Sequence, residues 1–478
     1  MRIELGNFFL SGQGTLQLQL YQALREKLLA AHWPAGALLP SSRQLAAELQ
    51  LSRNTVNQAL QQLVAEGYLV GQQGRGYQVI ALAPDQFFQA HTAISETAPQ
   101  AEITLFDYGI SAKTGPATGA LQTGVPDLSA FPFAVWQKLT QRHSGRVALA
   151  GMADALGYLP LRLALKDYLR QSRQVACDEH SILITAGAQQ ALFIAAKLVA
   201  KAGQQVLMET PGYPRLKQAL QLCELQVQHL DASSASGLDI KTLPDKTEAK
   251  ALFLTPGHQY PLGGIMPLAN RLAVLQWARQ HNCWLVEDDY DSEFQYQHRP
   301  IASLQGLAAG EGVLFAGSFS KTLFPGLRLG YLVTPKSVIG EAAAIVQALH
   351  GDVPLLPQAT LADFIAEGHF GRHLRKMRRF YQQRKQLAVA LLTEQLPQCQ
   401  LYAKDAGLHL VLQFPAPVDE AALLSELSQH QIKAQPLSRY LFGAERRCGL
   451  VLGIANNSDA EFHAALAQLC QLCRLALR

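Results

Sequence analysis

The chain has 478 residues, 49% of them hydrophobic and 16% charged, with 41 Lys and Arg against 37 Asp and Glu for a net charge of +4. That composition excludes an intrinsically disordered chain and leaves room for about three domains, each able to bury its own core. The charge is too slight to argue for nucleic acid by itself, and no apolar run nears the roughly 18 residues of a membrane span.

The opening MRIELGNFFLSGQG lacks the basic and apolar regions of a secretory signal, so none is expected. Residues 10–80 then read as one unit. LYQALREKLLAAH places apolar residues at helical spacing, and LPSSRQLAAELQ offers Pro-Ser-Ser as the start of a second helix. LSRNTVNQALQQLVAEGYL supplies a third, with Ser52 as its N-cap and Val56, Leu60, Leu63 and Val64 as its buried stripe. YLVGQQGRGYQVI alternates about a glycine-rich turn, as a hairpin does. Its glycines mimic a dinucleotide fingerprint, but no strand–turn–helix follows.

Helix-turn-helix plus hairpin is the outline of a winged DNA-binding domain, so the partner read here is double-stranded DNA. Arg53 opens the third helix, where it can meet a base edge or a phosphate, and Ser52 and Asn57 face a similar way. Arg43 begins the second helix and suits a phosphate. Arg75, at the hairpin tip, can enter a narrow minor groove. Against this stands a surplus of only five Arg and Lys over three Glu, and the competing reading is a protein-contact module.

Residues 81–115 have no sustained period and read as a linker, with room for a short helix at its start. Residues 116–478 form the remainder. Short apolar strands (SILITAG, QVLMETPGYP, ALFLTPGHQYP, CWLVEDDYDSEF, VLFAGSFSK) alternate with amphipathic helices, which predicts an α/β fold on a mostly parallel, covered sheet. The large lobe is expected over about 150–350. A smaller α+β lobe follows over about 351–478, with GLHLVLQFP and GLVLGIAN as strands. Cys470 and Cys473 form a C-x-x-C without partners at zinc spacing, and they share a helical apolar face with Leu466 and Leu469, so packing is the better reading. The seven cysteines are scattered, which suits a reducing cytoplasm.

In such a sheet a ligand sits beyond the carboxyl ends of the strands, and the unusual motifs lie there. In GSFSKTLFPGLRLGY, residues 317–331, Lys321 follows Ser318 and Ser320 and precedes Arg328. Hydroxyls and a guanidinium can hold a phosphate while the amine reaches a carbonyl, which is what pyridoxal 5′-phosphate (PLP) requires. GAQQAL, residues 187–192, can add helix N-terminal N–H groups at Ala188 and Gln189, the latter helped by its side chain. In VEDDYDSEF, Asp288 can pair with a protonated pyridine nitrogen and Tyr290 can reach the ring's phenolic oxygen. Gln259 of PGHQYP can donate to that same oxygen, and Tyr213 of PGYPR can cover a ring face or touch a ligand. The acids crowded into EDDYDSE also admit a divalent-metal site or a solvated strand end. Lys321 downstream favours the cofactor, with no metal expected and Asp289, Asp291 and Glu293 structural.

LPSSR, LSRNTV, AEGYL, PGYP, HQYP, EDDYDSEF and SFSKTLFPGLRLGY together make the chain resemble the MocR subfamily of GntR-type transcriptional regulators. These fuse a winged helix-turn-helix to a fold type I, class I aminotransferase-like domain. The resemblance implies Lys321 as the Schiff-base lysine, Asp288 at the pyridine nitrogen, Tyr290 at the phenolic oxygen, and Ser318, Ser320 and Arg328 at the phosphate. It also implies Tyr213 against the cofactor, Arg215 available to an effector carboxylate, and a homodimer reading paired half-sites. Departures from the pattern are Ala188 for a Ser, Phe193 for an acid, Leu262 for a Thr, and Val451 where catalytic aminotransferases carry a carboxylate-binding Arg. The function expected is a PLP-dependent regulator sensing PLP, an amino compound or both. A working aminotransferase with an incidental helix-turn-helix is the alternative.

Overall fold

Three helices and a hairpin account for the first part of the chain: α1 (Leu16–Leu29), α2 (Ser42–Glu48), α3 (Arg53–Ala65), β1 (Leu69–Gln72) and β2 (Gly76–Val79). The computed structural model describes residues 14–30, 32–72, 76–80, 119–152, 154–297 and 301–477, and it divides into units of residues 1–107 and 108–478. Each helix of the first unit starts at a hydroxyl: Thr15, Ser41 and Ser52 accept from the N–H three residues on. Leu20, Leu24, Leu45, Val56, Leu60 and Leu63 close the core, with Val64 only at its edge. The hairpin pairs Gln72 with Gly76. The turn between them, Arg75 included, and the linker at 81–115 lie outside the described residues.

In the second unit seven strands form one sheet. They are β3 (Ile182–Thr185), β4 (Gln205–Thr210), β5 (Gln226–Asp231), β6 (Ala251–Leu254), β7 (Trp284–Asp289), β8 (Val313–Ser318) and β9 (Gly330–Val333). Their order is β3-β9-β8-β7-β6-β4-β5, parallel except for β9, which runs against both neighbours. The helices around it are α4 (Phe133–Ser144), α5 (Leu159–Arg173), α6 (Ala188–Val199), α7 (Pro214–Leu222), α8 (Leu268–Gln280), α9 (Leu304–Leu307), α10 (Ile339–His350), α11 (Leu355–Ala366) and α12 (His369–Gln395). Alternate strand residues serve opposite faces: Leu183, Leu314 and Ala316 pack with α6 and α7, whereas Ile182, Ile184 and Phe315 pack with α5 and α11. Both faces are covered, which is why strands such as ILIT and ALFL are apolar throughout.

The small lobe is an antiparallel sheet, β10 (Gln400–Tyr402), β11 (His409–Gln413), β12 (Gln435–Pro436) and β13 (Gly449–Gly453), in the order β10-β11-β13-β12. It is backed by α13 (Glu420–Gln429) and α14 (Asp459–Ala476). Its boundary falls later than the residue near 350 expected from the sequence. Phe364 of α11 and Phe370, Leu374 and Tyr381 of α12 belong to the large-lobe core, and α12 enters the small-lobe core only at Ala388 and Leu392. One continuous helix, about 40 Å long at 1.5 Å per residue, therefore serves both lobes. Leu121, far away in sequence, also joins the small-lobe core, beside the Ala120–Ile432 bridge. Cys470 and Cys473 are buried packing groups of α14, and all seven cysteines are free. No helix among the described residues is long and apolar enough to cross a membrane.

One buried ion pair ties α5 to β7. Arg173 Nε donates to Asp289 Oδ2 at 2.8 Å, with both side chains almost fully enclosed, and Arg173 also donates to the Ile301 carbonyl. Replacing one partner strands the other in the core. Arg173→Leu is expected to cost about 3–5 kcal/mol, seen as a lowered urea midpoint, whereas a surface Arg→Leu control leaves the midpoint nearly unmoved.

Candidate functional site

The carboxyl ends of β7 and β8 open into a cavity of about 200 Å³ together with the loops after β3, β4 and β6. Its lining is Gly124, Ala188, Gln189, Tyr213, Arg215, Tyr260, Asp288, Tyr290, Ser318, Ser320, Lys321, Pro325 and Arg328. Ten residues singled out in the sequence are brought together here, from stretches more than one hundred residues apart.

One end of the cavity is built for an anion. β8 ends at Ser318, whose hydroxyl accepts from Ser320 N–H at 3.0 Å, and Lys321 follows at once. After the Pro325–Leu327 turn, Arg328 takes a left-handed backbone (φ 51°), which returns its guanidinium to the start of α6. Gly187, the residue before α6, also has positive φ, and a Cβ there would lie 3.7 Å from that guanidinium. No side chain caps α6, so its first N–H groups face the same place as the two serines and the arginine. Among the described residues no carboxylate pairs with Arg328, Arg215 or Lys321.

The other end is built for a proton. Asp288 is buried, and its Oδ1 has no hydrogen-bond partner among the described residues. Burial pushes its pKa up to about 7, and the neighbouring Asp289, Asp291 and Glu209 push the same way against Lys321. The neighbouring acids have partners: Glu287 Oε2 accepts from Gln305 N–H and its Oε1 lies 3.8 Å from Arg271, without a hydrogen bond. Asp289 is held by Arg173 and Ser292, Asp291 by His258, and Glu293 accepts from Tyr168 at 2.9 Å.

Between the ends stands Lys321, half-buried, with Gly124 beside it; a Cβ on Gly124 would collide with Nζ. Burial pulls its pKa down to about 8, and Arg215 adds to that, outweighing Asp291 and Asp288. The ring of Tyr260 lies edge-on to Tyr213 at 5.9 Å and to Tyr290 at 5.4 Å. Burial raises the Tyr213 phenol to about 12. The geometry thus collects an anion cradle, an unpaired buried carboxyl and a nucleophilic amine around one small volume.

Gln259 is the exception. It is buried outside the lining, its Nε2 donates to the carbonyls of Pro211 and Tyr260, and its Oε1 accepts from Leu262 N–H. Both amide hydrogens are committed to holding the 210–213 and 260–262 loops, so it does not reach the cavity as a donor. The next residue, Tyr260, lines the cavity in its place, and the signal was in the same HQYP motif, one position on. Gly124 and Pro325 were missed as well. Gly124 lies in an aperiodic stretch that carries no chemical signal.

Leu262 and Val451 meet. With Val411, Leu437 and Tyr440 they form a closed apolar cluster, against which Tyr260 packs. The three arginines nearby in sequence are engaged elsewhere: Arg439 with Gln435, Arg446 with main-chain carbonyls, Arg447 with Glu445.

In the first unit, α3 exposes Arg53, Asn54, Gln58 and Gln61, with Asn57 half-buried among them. The sequence reading missed Asn54, Gln58 and Gln61, although Arg53, Asn57 and Gln61 recur at the four-residue spacing of one helix face. Ser52 is exposed, but its hydroxyl is the helix cap, accepting from Thr55 N–H at 3.1 Å. Arg43 is exposed at the second position of α2.

Residues 16–79 match the family model for bacterial regulatory proteins of the gntR family, and residues 120–468 match that for aminotransferase class I and II. A probable rhizopine catabolism regulatory protein MocR of Rhizobium meliloti is 36% identical over 91% of this chain and 89% of its own length. The HTH-type regulator TauR of Rhodobacter capsulatus is 30% identical over 99% and 100%. The HTH-type pyridoxine biosynthesis regulator PdxR of Corynebacterium glutamicum is 29% identical over 95% of each chain. Among solved structures, the α-aminoadipate aminotransferase LysN of Thermus thermophilus superposes with a TM-score of 0.70 at 24% identity, covering 76% of this chain and 93% of its own. The two units therefore define a helix-turn-helix transcriptional regulator with an aminotransferase-fold domain. Within that class, the chain belongs to the MocR-type GntR regulators.

A lysine half-deprotonated near pH 8 should outcompete ordinary surface lysines, which sit near 10.5. Treatment with a small aldehyde and a mild reductant at pH 8 is expected to modify Lys321 first, as read by peptide mass mapping. Arg215→Ala removes a charge that opposes protonation, so the pH profile of that labelling should move upward.

Proposed function

We propose that the aminotransferase-fold domain of this regulator binds PLP in the cavity around Lys321 and uses it to sense PLP itself or an amino compound. The observation that carries this is a partnerless, buried Asp288 Oδ1 in the same cavity as the hydroxyls of Ser318 and Ser320 and the guanidinium of Arg328. Asp288 would hold the proton of the pyridine nitrogen. Ser318, Ser320, Arg328 and the α6 N–H groups at Ala188 and Gln189 would hold the phosphate. Tyr290 would serve the ring's phenolic oxygen, and Tyr213 would lie against the ring. When bound, PLP supplies an aldehyde that captures amines and a ring that accepts electron density. Lys321 supplies the amine that anchors it, and burial lowers its pKa to about 8, so far more of it is free of its proton at slightly alkaline pH than of an ordinary lysine.

Sensing is favoured over turnover by the wall opposite. Where a catalytic clamp arginine would be needed, Val451 is fully buried in an apolar cluster with Leu262. Arg215 is then the cation left for an effector carboxylate, exposed at the start of α7, with its carbonyl accepting from Gln189. That the Corynebacterium relative is named for pyridoxine biosynthesis supports an effector linked to the same cofactor.

The chain would act in the cytoplasm as a homodimer on paired DNA half-sites. The exposed apolar side chains of Phe133, Val147, Met152 and Leu159 support a second copy as their cover. Phe133 packs against Phe324, the residue before Pro325 of the cavity lining, which supports a link between such a contact and the site. Cofactor or effector would then alter the geometry of the dimer and its hold on DNA.

Binding to the DNA upstream of this gene and its neighbours, titrated with PLP and then with amino compounds, tests the reading. Wild-type affinity or footprint is expected to shift with ligand, and Lys321→Ala to lose both the cofactor's absorbance and the shift. A Lys321→Ala protein whose DNA response to ligand matches wild type would overturn sensing. On the DNA side, Arg53→Ala should lower specific affinity by about 1–3 kcal/mol, measured by fluorescence anisotropy against a scrambled site.

A further inference from the structure

The side chain behind Tyr290 has no place in the site described so far. His258, on the loop after β6, puts Nδ1 2.9 Å from the Tyr290 hydroxyl and 3.0 and 3.2 Å from the two oxygens of Asp291. All three groups sit at the cavity wall or just behind it, and His258 and Asp291 are buried. Hydrogen bonding leaves one assignment. An ionised carboxylate only accepts, so the proton of this contact is on His258 Nδ1. Burial pushes the Asp291 carboxyl upward, but His258, His409 and Lys385 outweigh it and hold it below the usual value. With Nδ1–H shared between Asp291 and Tyr290, the tyrosine oxygen is an acceptor on that side. Its own hydroxyl proton must point elsewhere, and the open side is the cavity.

We infer that His258, locked by Asp291, is the positioning residue for Tyr290 and turns its hydroxyl into an obligatory hydrogen-bond donor toward a ligand oxygen in the cavity. This rests on the PLP reading, in which that oxygen is the phenolic one.

The lock is assembled by both lobes. Asp291 Oδ2 accepts from Leu408 N–H at 3.3 Å, and a Cβ on Gly407 would run into the His258 ring, so only glycine lets the small-lobe segment close over it. Tyr296 OH donates to the Gly407 carbonyl at 2.7 Å, and Lys385 donates to the carbonyls of Ala406 and His409. The 405–409 segment therefore presses on the pair that aims Tyr290. His258, Asp291 and His409 also place three metal-capable atoms within 4.8 Å of one another. Their hydrogen bonds are already made, however: His409 Nε2 donates to the Pro261 carbonyl at 2.8 Å, and the Lys385 ammonium stands where a cation would be repelled. The cluster reads as a hydrogen-bond lock.

The test is a mutant cycle on the full-length protein, reading PLP affinity by equilibrium dialysis and the absorption maximum of the bound cofactor. His258→Leu removes the donor, whereas His258→Asn keeps an N–H near the place of Nδ1. His258→Leu is expected to weaken PLP binding about tenfold, the scale of one charge-assisted hydrogen bond, and to shift the absorption maximum as Tyr290→Phe does. The double variant should be no worse than Tyr290→Phe alone, and His258→Asn should recover most of the affinity. Multiplying losses in the double variant, or an Asn variant that behaves like Leu, would show that His258 acts only through packing and would overturn the inference. If His258→Leu does not fold by thermal melting, His258→Asn decides alone: affinity and spectrum must match wild type in the wild-type background and match Tyr290→Phe in the Tyr290→Phe background, and any further loss overturns the inference. A wild-type protein that takes up no PLP would instead sink the cofactor reading, and this inference with it.

Discussion

A carboxylate enclosed by protein without a partner is among the least favourable groups a fold can hold, and the site depends on one. At the end of β7, successive acids turn to opposite sides of the strand. Glu287 faces Arg271 at 3.8 Å, and Asp289 faces Arg173 at 2.8 Å. Asp288, between them, faces the cavity with an oxygen unsatisfied and its pKa raised to about 7. The acids that follow it, Asp289, Asp291 and Glu293, are each held by a partner, which fixes the backbone on either side of Tyr290. An unpaired acid held rigidly beside a depressed lysine is preorganised for a ligand that brings a proton to one and a carbonyl to the other.

The two lobes meet at this point as well. α12 belongs to both cores, and the 405–409 segment of the small lobe rests on Asp291, Phe294 and Tyr296 of the large one. On the other side of the cavity, the Gly212 N–H donates to the Tyr440 carbonyl, and Thr210 and Phe442 exchange hydrogen bonds. A change in what fills the cavity therefore presses on both lobes through short, direct contacts. A domain that reports on a ligand needs such a coupling, whether or not it turns that ligand over.

Much of this was legible in advance. Apolar strands followed by amphipathic helices announced the covered sheet, because a strand buried on both faces cannot alternate. Hydroxyl caps announced the second and third helices of the first unit, and apolar spacing the first. Lys321, Asp288, Tyr290, Arg328 and the serines stood at strand ends, where a parallel sheet opens its crevice. The lobe boundary was not legible. α11 is apolar nearly all round and α12 is amphipathic, and neither pattern says which core the helix faces. Gln259 and Tyr260 were exchanged for a related reason: two adjacent polar side chains on a loop point in different directions, and only the loop's path decides which one enters the cavity.

The amino-acid sequence by itself determined the order of elements, the family and the chemical inventory of the site, because these follow from local spacing and from residue types that have few other uses together. The tertiary structure decided pairings between distant segments. It put Val451 beside Leu262 in an apolar wall, gave Asp289 to Arg173 and left Asp288 alone, and set His258 behind Tyr290 with a glycine from the other lobe closing over it. Those outcomes depend on which side chains share a buried volume, and the need to satisfy each buried charge and donor is met across space, by residues that lie far apart along the chain.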